Sequence, residues 1–142
     1  MADIQHTLNI NAPAESVYRA LSTINGLASW WTSTTTGASA PGEVIDFRFN
    51  AHVVRMRVDQ LERNKAVAWT CVDDGGDWND TRIKFDLTEK DGRTTVRFSH
   101  RAWKEANDHM SHCSMKWATF LLSLREVAET GKGRPFPHDL SI

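Results

Sequence analysis

Cysteine is scarce: only Cys71 and Cys113 occur in 142 residues. Two are too few for a disulfide framework, and their surroundings read as buried thiols. Long apolar runs are missing; none nears the roughly 18 residues of a membrane span. Charge of one sign is missing too, since 17 basic residues face 18 acidic ones, for a net charge of −1. Nothing there favours nucleic acid or a strongly charged partner. The start, Met-Ala-Asp-Ile-Gln-His, has no basic region or apolar core of a signal peptide, so a cytoplasmic location is expected. No G-x-S-x-G and no glycine-rich phosphate loop appears. Repeats, low-complexity segments and linkers are absent, and the length suits one domain over residues 1–142.

Tryptophan, by contrast, is plentiful, with six residues. Six suit a core, and equally a pocket with large apolar walls. The clearest periodic stretch is Asp108 to Thr130. At about 100° per residue, Met110, Cys113, Trp117, Phe120, Leu121, Leu124, Val127 and Ala128 share a face. His112, Lys116, Ser123, Glu126 and Glu129 fall opposite, so an amphipathic helix of roughly six turns is expected. Gly131, Gly133, Pro135 and Pro137 stop it.

Before that helix the period is mostly two. Ile4, His6, Leu8 and Ile10 alternate with polar residues, as in a strand with one buried face. Pro13 opens a helix carrying Val17, Tyr18, Ala20, Leu21 and Ile24, with Asn11 or Ala12 as cap. Asn25-Gly26 is expected to break it, with a short second helix over Leu27 to Trp31. Thr32 to Pro41 reads as a mobile loop and the natural gate, because its small residues anchor little, with room for a short extended piece. Five strands then follow: Ile45–Phe49, His52–Val58, Val67–Cys71, Ile83–Leu87 and Thr94–His100. Tight turns join them, Asp91-Gly92 being a strong hairpin signal. The sheet is therefore antiparallel, with one packed and one wet face. On the wet face Arg48, Arg55, Arg57, Arg82, Lys84 and Arg97 are expected to pair across strands with Asp46, Asp59, Asp86 and Glu89.

Several ordered motifs add to this reading. They are Ile10-Asn-Ala-Pro13-Ala-Glu-Ser-Val17-Tyr18, Trp30-Trp31, Phe98-Ser-His100, Trp117-x3-Leu121-x2-Leu124 and Gly131-Lys-Gly133-Arg-Pro135. Together they resemble the START-like, helix-grip superfamily (SRPBCC), and within it the homologues of the heat-shock-protein ATPase activator. Lys116-Trp117 stands where that family has Gly-Trp, and Pro41-Gly42 where it has Gly-Gly. The resemblance implies an α+β helix-grip fold. A curved antiparallel sheet of about six strands would wrap a long C-terminal helix, with two short helices after the first strand. It also implies a cavity between helix and sheet for a small apolar or amphipathic molecule.

His6, His52 and His100 share the parity of the apolar residues on their strands, at one edge of the sheet. They are candidates for a polar floor that orients a ligand or moves protons. Cys71 points the same way. The expected ligand-binding set is His6, Trp31, Phe47, His52, Met56, Trp69, Phe85, Phe98, His100, Met110, Trp117 and Leu121. Trp30 and Trp103 are further candidates for the walls. No two metal ligands sit at a locking spacing, and His112 points away from Cys113 on the wheel, so no metal and no cofactor is expected. Asp73, Asp74, Asp77 and Asp80 lack the final bidentate Glu of a calcium loop and read as an acidic turn. Met115 and Leu122, on the outer face of the helix, fit either a monomer or a homodimer. Small-molecule binding leads the functional readings. The alternatives are a cyclase- or hydrolase-type enzyme with His6, His52 or His100 as acid/base, and a chaperone-interacting module.

Overall fold

A computed structural model describes residues 1–142. Strand β1 (Ala2–Ile10) leads to helices α1 (Ala14–Ser22) and α2 (Ile24–Trp30). Six strands follow: β2 (Thr35–Gly37), β3 (Val44–Phe49), β4 (His52–Glu62), β5 (Ala66–Asp73), β6 (Arg82–Lys90) and β7 (Arg93–Trp103). Helix α3 (Asp108–Thr130) ends the regular structure. All seven strands form one antiparallel sheet in the order β1-β7-β6-β5-β4-β3-β2. This is the α+β helix-grip arrangement, with one strand more than the six expected.

The extra strand is β2, the short extended piece for which Thr32 to Pro41 had room, and its pairing ties down a segment expected to be mobile. Thr35 and Gly37 pair with Phe47 and Ile45. The Thr32 hydroxyl donates to the Arg48 carbonyl at 2.7 Å, and that of Thr35 to the Thr32 carbonyl at 2.7 Å. Buried threonines tie this segment down where apolar side chains are lacking.

The break between the first two helices also differs. It falls at Thr23, whose extended backbone ends α1 and whose hydroxyl caps α2 by accepting from Gly26 N at 3.0 Å. Asn25 and Gly26 lie inside α2. A Cβ on Gly26 would stand 2.5 Å from the Arg19 carbonyl oxygen and 2.7 Å from Ala20 Cα. Glycine is there for close approach of α1, not as a breaker. Pro13 itself holds the cap position of α1.

Helix α3 has the bounds its sequence period predicts. The Asn107 side chain accepts from Met110 N at 2.9 Å, and Gly131 closes the helix in the left-handed region at φ 87°. Cys113, Trp117, Phe120, Leu121 and Leu124 are buried in the cluster that also holds Trp30, Trp31, Trp69, Phe47, Phe85 and Phe98. Ser123, placed on the polar side by the wheel, is buried as well. Its hydroxyl accepts from Arg134 N at 2.7 Å and folds the following tail back along the helix.

On the outer face of the sheet, Arg55 pairs with Asp46 at 3.3 Å and Asp73 at 3.1 Å. Arg57 pairs with Asp59 at 2.9 Å and Lys84 with Asp86 at 3.5 Å. Arg48, Arg82 and Arg97 have no carboxylate partner within ion-pair distance; Arg97 donates to the Thr88 hydroxyl. No helix is long and apolar enough to cross a membrane.

Candidate functional site

The loop between β5 and β6 builds one wall of the site. Asp74 holds the loop through its carboxylate, which accepts from Gly76 N at 2.7 Å and Trp78 N at 3.3 Å. Gly75 and Asp80 take positive φ, 74° and 69°, so the chain turns sharply enough to face α3. The indole of Trp78 thereby stacks 5.8 Å from that of Trp117.

A chain of hydrogen bonds locks these two tryptophans to β7. The Trp117 indole N–H, a donor only, gives its proton to His100 Nδ1 at 3.1 Å. Nε2 must then carry the ring proton, and it donates to the Thr81 hydroxyl at 2.8 Å. The Thr81 hydroxyl in turn donates to the Trp78 carbonyl. Burial lowers the His100 pKa to about 3, so the ring is neutral. With both nitrogens engaged, no lone pair remains for a substrate proton.

A cavity of about 450 Å³ opens where the first half of α3 lies against this loop. Trp31, Trp78, Trp117 and Phe120 form its apolar back. The β3–β4 hairpin contributes Phe49, His52 and Val54. The tail after α3 contributes Phe136 and Asp139. Phe136 is fixed by its N–H to the Trp31 carbonyl at 2.8 Å and by its ring against Phe49 at 5.3 Å. Lys116 of α3 is tied to the Asp139 carboxylate and to the Leu140 carbonyl at 2.7 Å. Polar groups at the cavity are Asp74, Asp77, His52, His109, His112 and Lys116.

Of the twelve residues expected from sequence, Trp31, His52 and Trp117 line this cavity. Phe47, Met56, Trp69, Phe85, Phe98 and Leu121 lie behind it in the filled core. The indole of Trp31 lies 6.0 Å from Trp69 and 4.9 Å from Trp117, so the centre of the grip is solid. Met110 is half-buried against that core. His6 points inward as expected, but under α3: Nε2 meets the Ser114 carbonyl at 3.1 Å, and the ring stacks on Phe98. His52 is exposed at the cavity and His100 fully buried, so the three histidines do not form one floor.

Sequence reasoning missed the β5–β6 loop, the tail, and His109, His112 and Cys113. His112 and Cys113 both line the cavity, although they diverge on the helical wheel. With His109, Lys116, Trp117 and Phe120 they fall within one broad stripe of α3, spaced i, i+3, i+4, i+7, i+8 and i+11, and that stripe faces the cavity. His109 also bridges two partners there. Its Nδ1 lies 2.9 Å from Asp77 Oδ2 and its Nε2 3.5 Å from Cys113 Sγ. The histidine sits between the other two, and no set of three His, Cys, Asp or Glu side chains converges as metal ligands do.

The family described as "Activator of Hsp90 ATPase homolog 1-like protein" matches residues 11–129. Among solved structures, the Aha1 dimer from Colwellia psychrerythraea is 42% identical, with a TM-score of 0.86, over 94% of this chain and 100% of that one. Protein SSP2350 from Staphylococcus saprophyticus is 20% identical over 94% and 97% of the two chains, with a TM-score of 0.76. DynU16, from the dynemicin biosynthetic locus, is 18% identical over 92% of this chain and 48% of that one, with a TM-score of 0.75. The last two likenesses are of fold alone. No curated protein matches the chain. With the family match over most of its length, and a full-length relative at 42% identity, the chain belongs to the Activator of Hsp90 ATPase homolog 1-like protein family.

Proposed function

We propose that the chain, acting as one domain, binds a small apolar or amphipathic molecule in the cavity beside the first half of α3. The observation that carries this reading is the shape of the aromatic cluster: it is packed at the centre and opens, beside α3, into about 450 Å³. That volume lies within the roughly 300–1,000 Å³ of small-molecule sites. Trp31, Trp78, Trp117 and Phe120 offer apolar faces, while His52 and His112 are exposed and suited to a ligand's polar end. Phe47, Met56, Trp69, Phe85, Phe98 and Leu121 support the walls from behind, and His6 and His100 hold α3 in place.

Native mass spectrometry of freshly purified protein tests this directly, followed by titration with aromatic and aliphatic amphiphiles read by tryptophan emission. Trp78→Ala removes a half-buried wall outside the main core. It is expected to weaken binding about tenfold or more, near 1.4 kcal/mol, with urea unfolding used to check that the variant is folded where binding is read. Unchanged affinity, or no saturable binding by any amphiphile, would sink the reading.

The chain is also read as a homodimer. The 42% identical Colwellia protein was solved as a dimer. Here Met115 and Leu122, seven residues apart on α3, are 58% and 41% exposed. That spacing puts them on one helical stripe. Light scattering should show a dimer for the unmodified chain and a monomer for Met115→Glu combined with Leu122→Glu. A monomer in both cases removes the dimer.

A further inference from the structure

We propose that Cys113 is a nucleophile, served by His109 and Asp77, that adds to the β-carbon of an α,β-unsaturated carbonyl compound bound in the cavity. This rests on the cavity being the ligand site. The cavity's aromatic walls suit a substrate with an aromatic or similarly flat apolar body.

The geometry comes from two elements. His109 and Cys113 are four residues apart on α3, so their side chains meet on one face. Asp77 reaches them from the β5–β6 loop. An ionised carboxylate only accepts, so His109 Nδ1 carries the proton given to Asp77 Oδ2 at 2.9 Å. Nε2 is then a free base, 3.5 Å from Cys113 Sγ, and the thiol donates into it. A nucleophile held by a base that a third group orients is the general arrangement of covalent catalysis. Burial raises both thiols, and the contrast with Cys71 is access: Cys113 is 7% exposed and lines the cavity, whereas Cys71 is 0% exposed and does not.

In the step, the Cys113 proton passes to His109 Nε2 as the sulfur bonds to the β-carbon. The C=C electron pair moves toward the carbonyl as an enolate. His109 returns the proton to the α-carbon. The net change is addition of S–H across C=C, with no other reactant. Burial raises the Cys113 pKa, so the resting thiol is protonated and needs the base. A thiolate formed from such a thiol is also the stronger nucleophile. Groups facing the pair are Asp74 and Asp77 from the loop, and His112 and Lys116 from α3.

The test uses N-phenylmaleimide on the folded protein, followed by intact and peptide mass spectrometry. One adduct is expected, on Cys113, with Cys71 unmodified. His109→Ala, at a half-exposed position that the fold tolerates, should slow addition about tenfold or more. Asp77 is a positioning residue; Asp77→Asn should lower the rate of addition at saturating maleimide while leaving the half-saturating concentration unchanged. Equal labelling of both cysteines, no labelling, or an unchanged rate in His109→Ala overturns the proposal. N-phenylsuccinimide, the saturated analogue, separates the two readings. Its saturable binding to both the unmodified chain and Cys113→Ser, without selective addition of the maleimide, leaves the cavity reading standing and removes the nucleophile. Absence of its binding, together with no saturable binding of any amphiphile, removes both.

Discussion

Trp117→Ala should lower folded stability by about 4–5 kcal/mol, read as a fall in the urea midpoint at unchanged slope. Trp117 is 2% exposed, and its ring lies 4.5 Å from Phe98 and 4.9 Å from Trp31. Truncating a buried tryptophan costs about 3–5 kcal/mol through lost transfer energy and the hole left behind. Here His100 Nδ1 also loses its donor while still buried, which adds about 1–3 kcal/mol when no water replaces it. Against a typical total of about 5–15 kcal/mol, this takes a large share. Trp117→Phe separates the two contributions: it keeps most of the apolar area and should show only the hydrogen-bond part. A Trp117→Ala protein as stable as the parent would show that α3 does not rest on the sheet through this residue.

Acid should destabilise the protein from about pH 6.5 downward because of His100. Its pKa is lowered from 6.5 to about 3 by burial. Above pH 6.5 the ring is neutral in both folded and unfolded chains and contributes no pH dependence. Below that, the unfolded chain takes up a proton that the folded chain refuses. Stability is then lost at about 1.4 kcal/mol per pH unit until the folded ring titrates. Carried down to about pH 3, the loss is about 5 kcal/mol. Most carboxylates titrate near pH 4, so the interval from pH 6 to 5 reports the histidine most cleanly. His100→Gln will be less stable at neutral pH, yet its stability should fall less steeply across that interval. Equal slopes for the two proteins would mean that the buried ring gains its proton without opening the fold.

The fold was largely legible because its signals are periodic. Alternation in β1 and in the five longer strands that follow α2 marks the packed face, and α3 begins and ends where its apolar stripe does. Asp91-Gly92 turns with φ of 54° and 76°, as that pair requires. Strand β2 was legible only as room for a short extended piece, because its three residues, Thr35–Gly37, hold no apolar alternation that would fix its bounds. Gly26 misled because a glycine can serve close helix contact as well as a break. The site was less legible for a physical reason. Trp31, His52 and Trp117 sit on regular elements, where parity and helical phase say which way they face. Trp78, Asp77, Phe136 and Asp139 sit on a turn and a tail, whose paths follow from local hydrogen bonds and not from any period. Parity also gave the inward direction of His6 and His100 but not their depth, which depends on how closely α3 seats over each.

The stacked indoles at the heart of the grip have an optical consequence. Trp31 lies within 4.9 to 6.3 Å of Trp30, Trp69, Trp78 and Trp117, and Trp78 lies 6.3 Å from Trp103. Rings that near one another exchange excitation, so the six chromophores absorb and emit as a coupled set. Near-ultraviolet circular dichroism should therefore carry an exciton signature of the intact array. An occupant that touches Trp78 would perturb the light from the whole protein, giving the molecule a label-free reporter of its own interior.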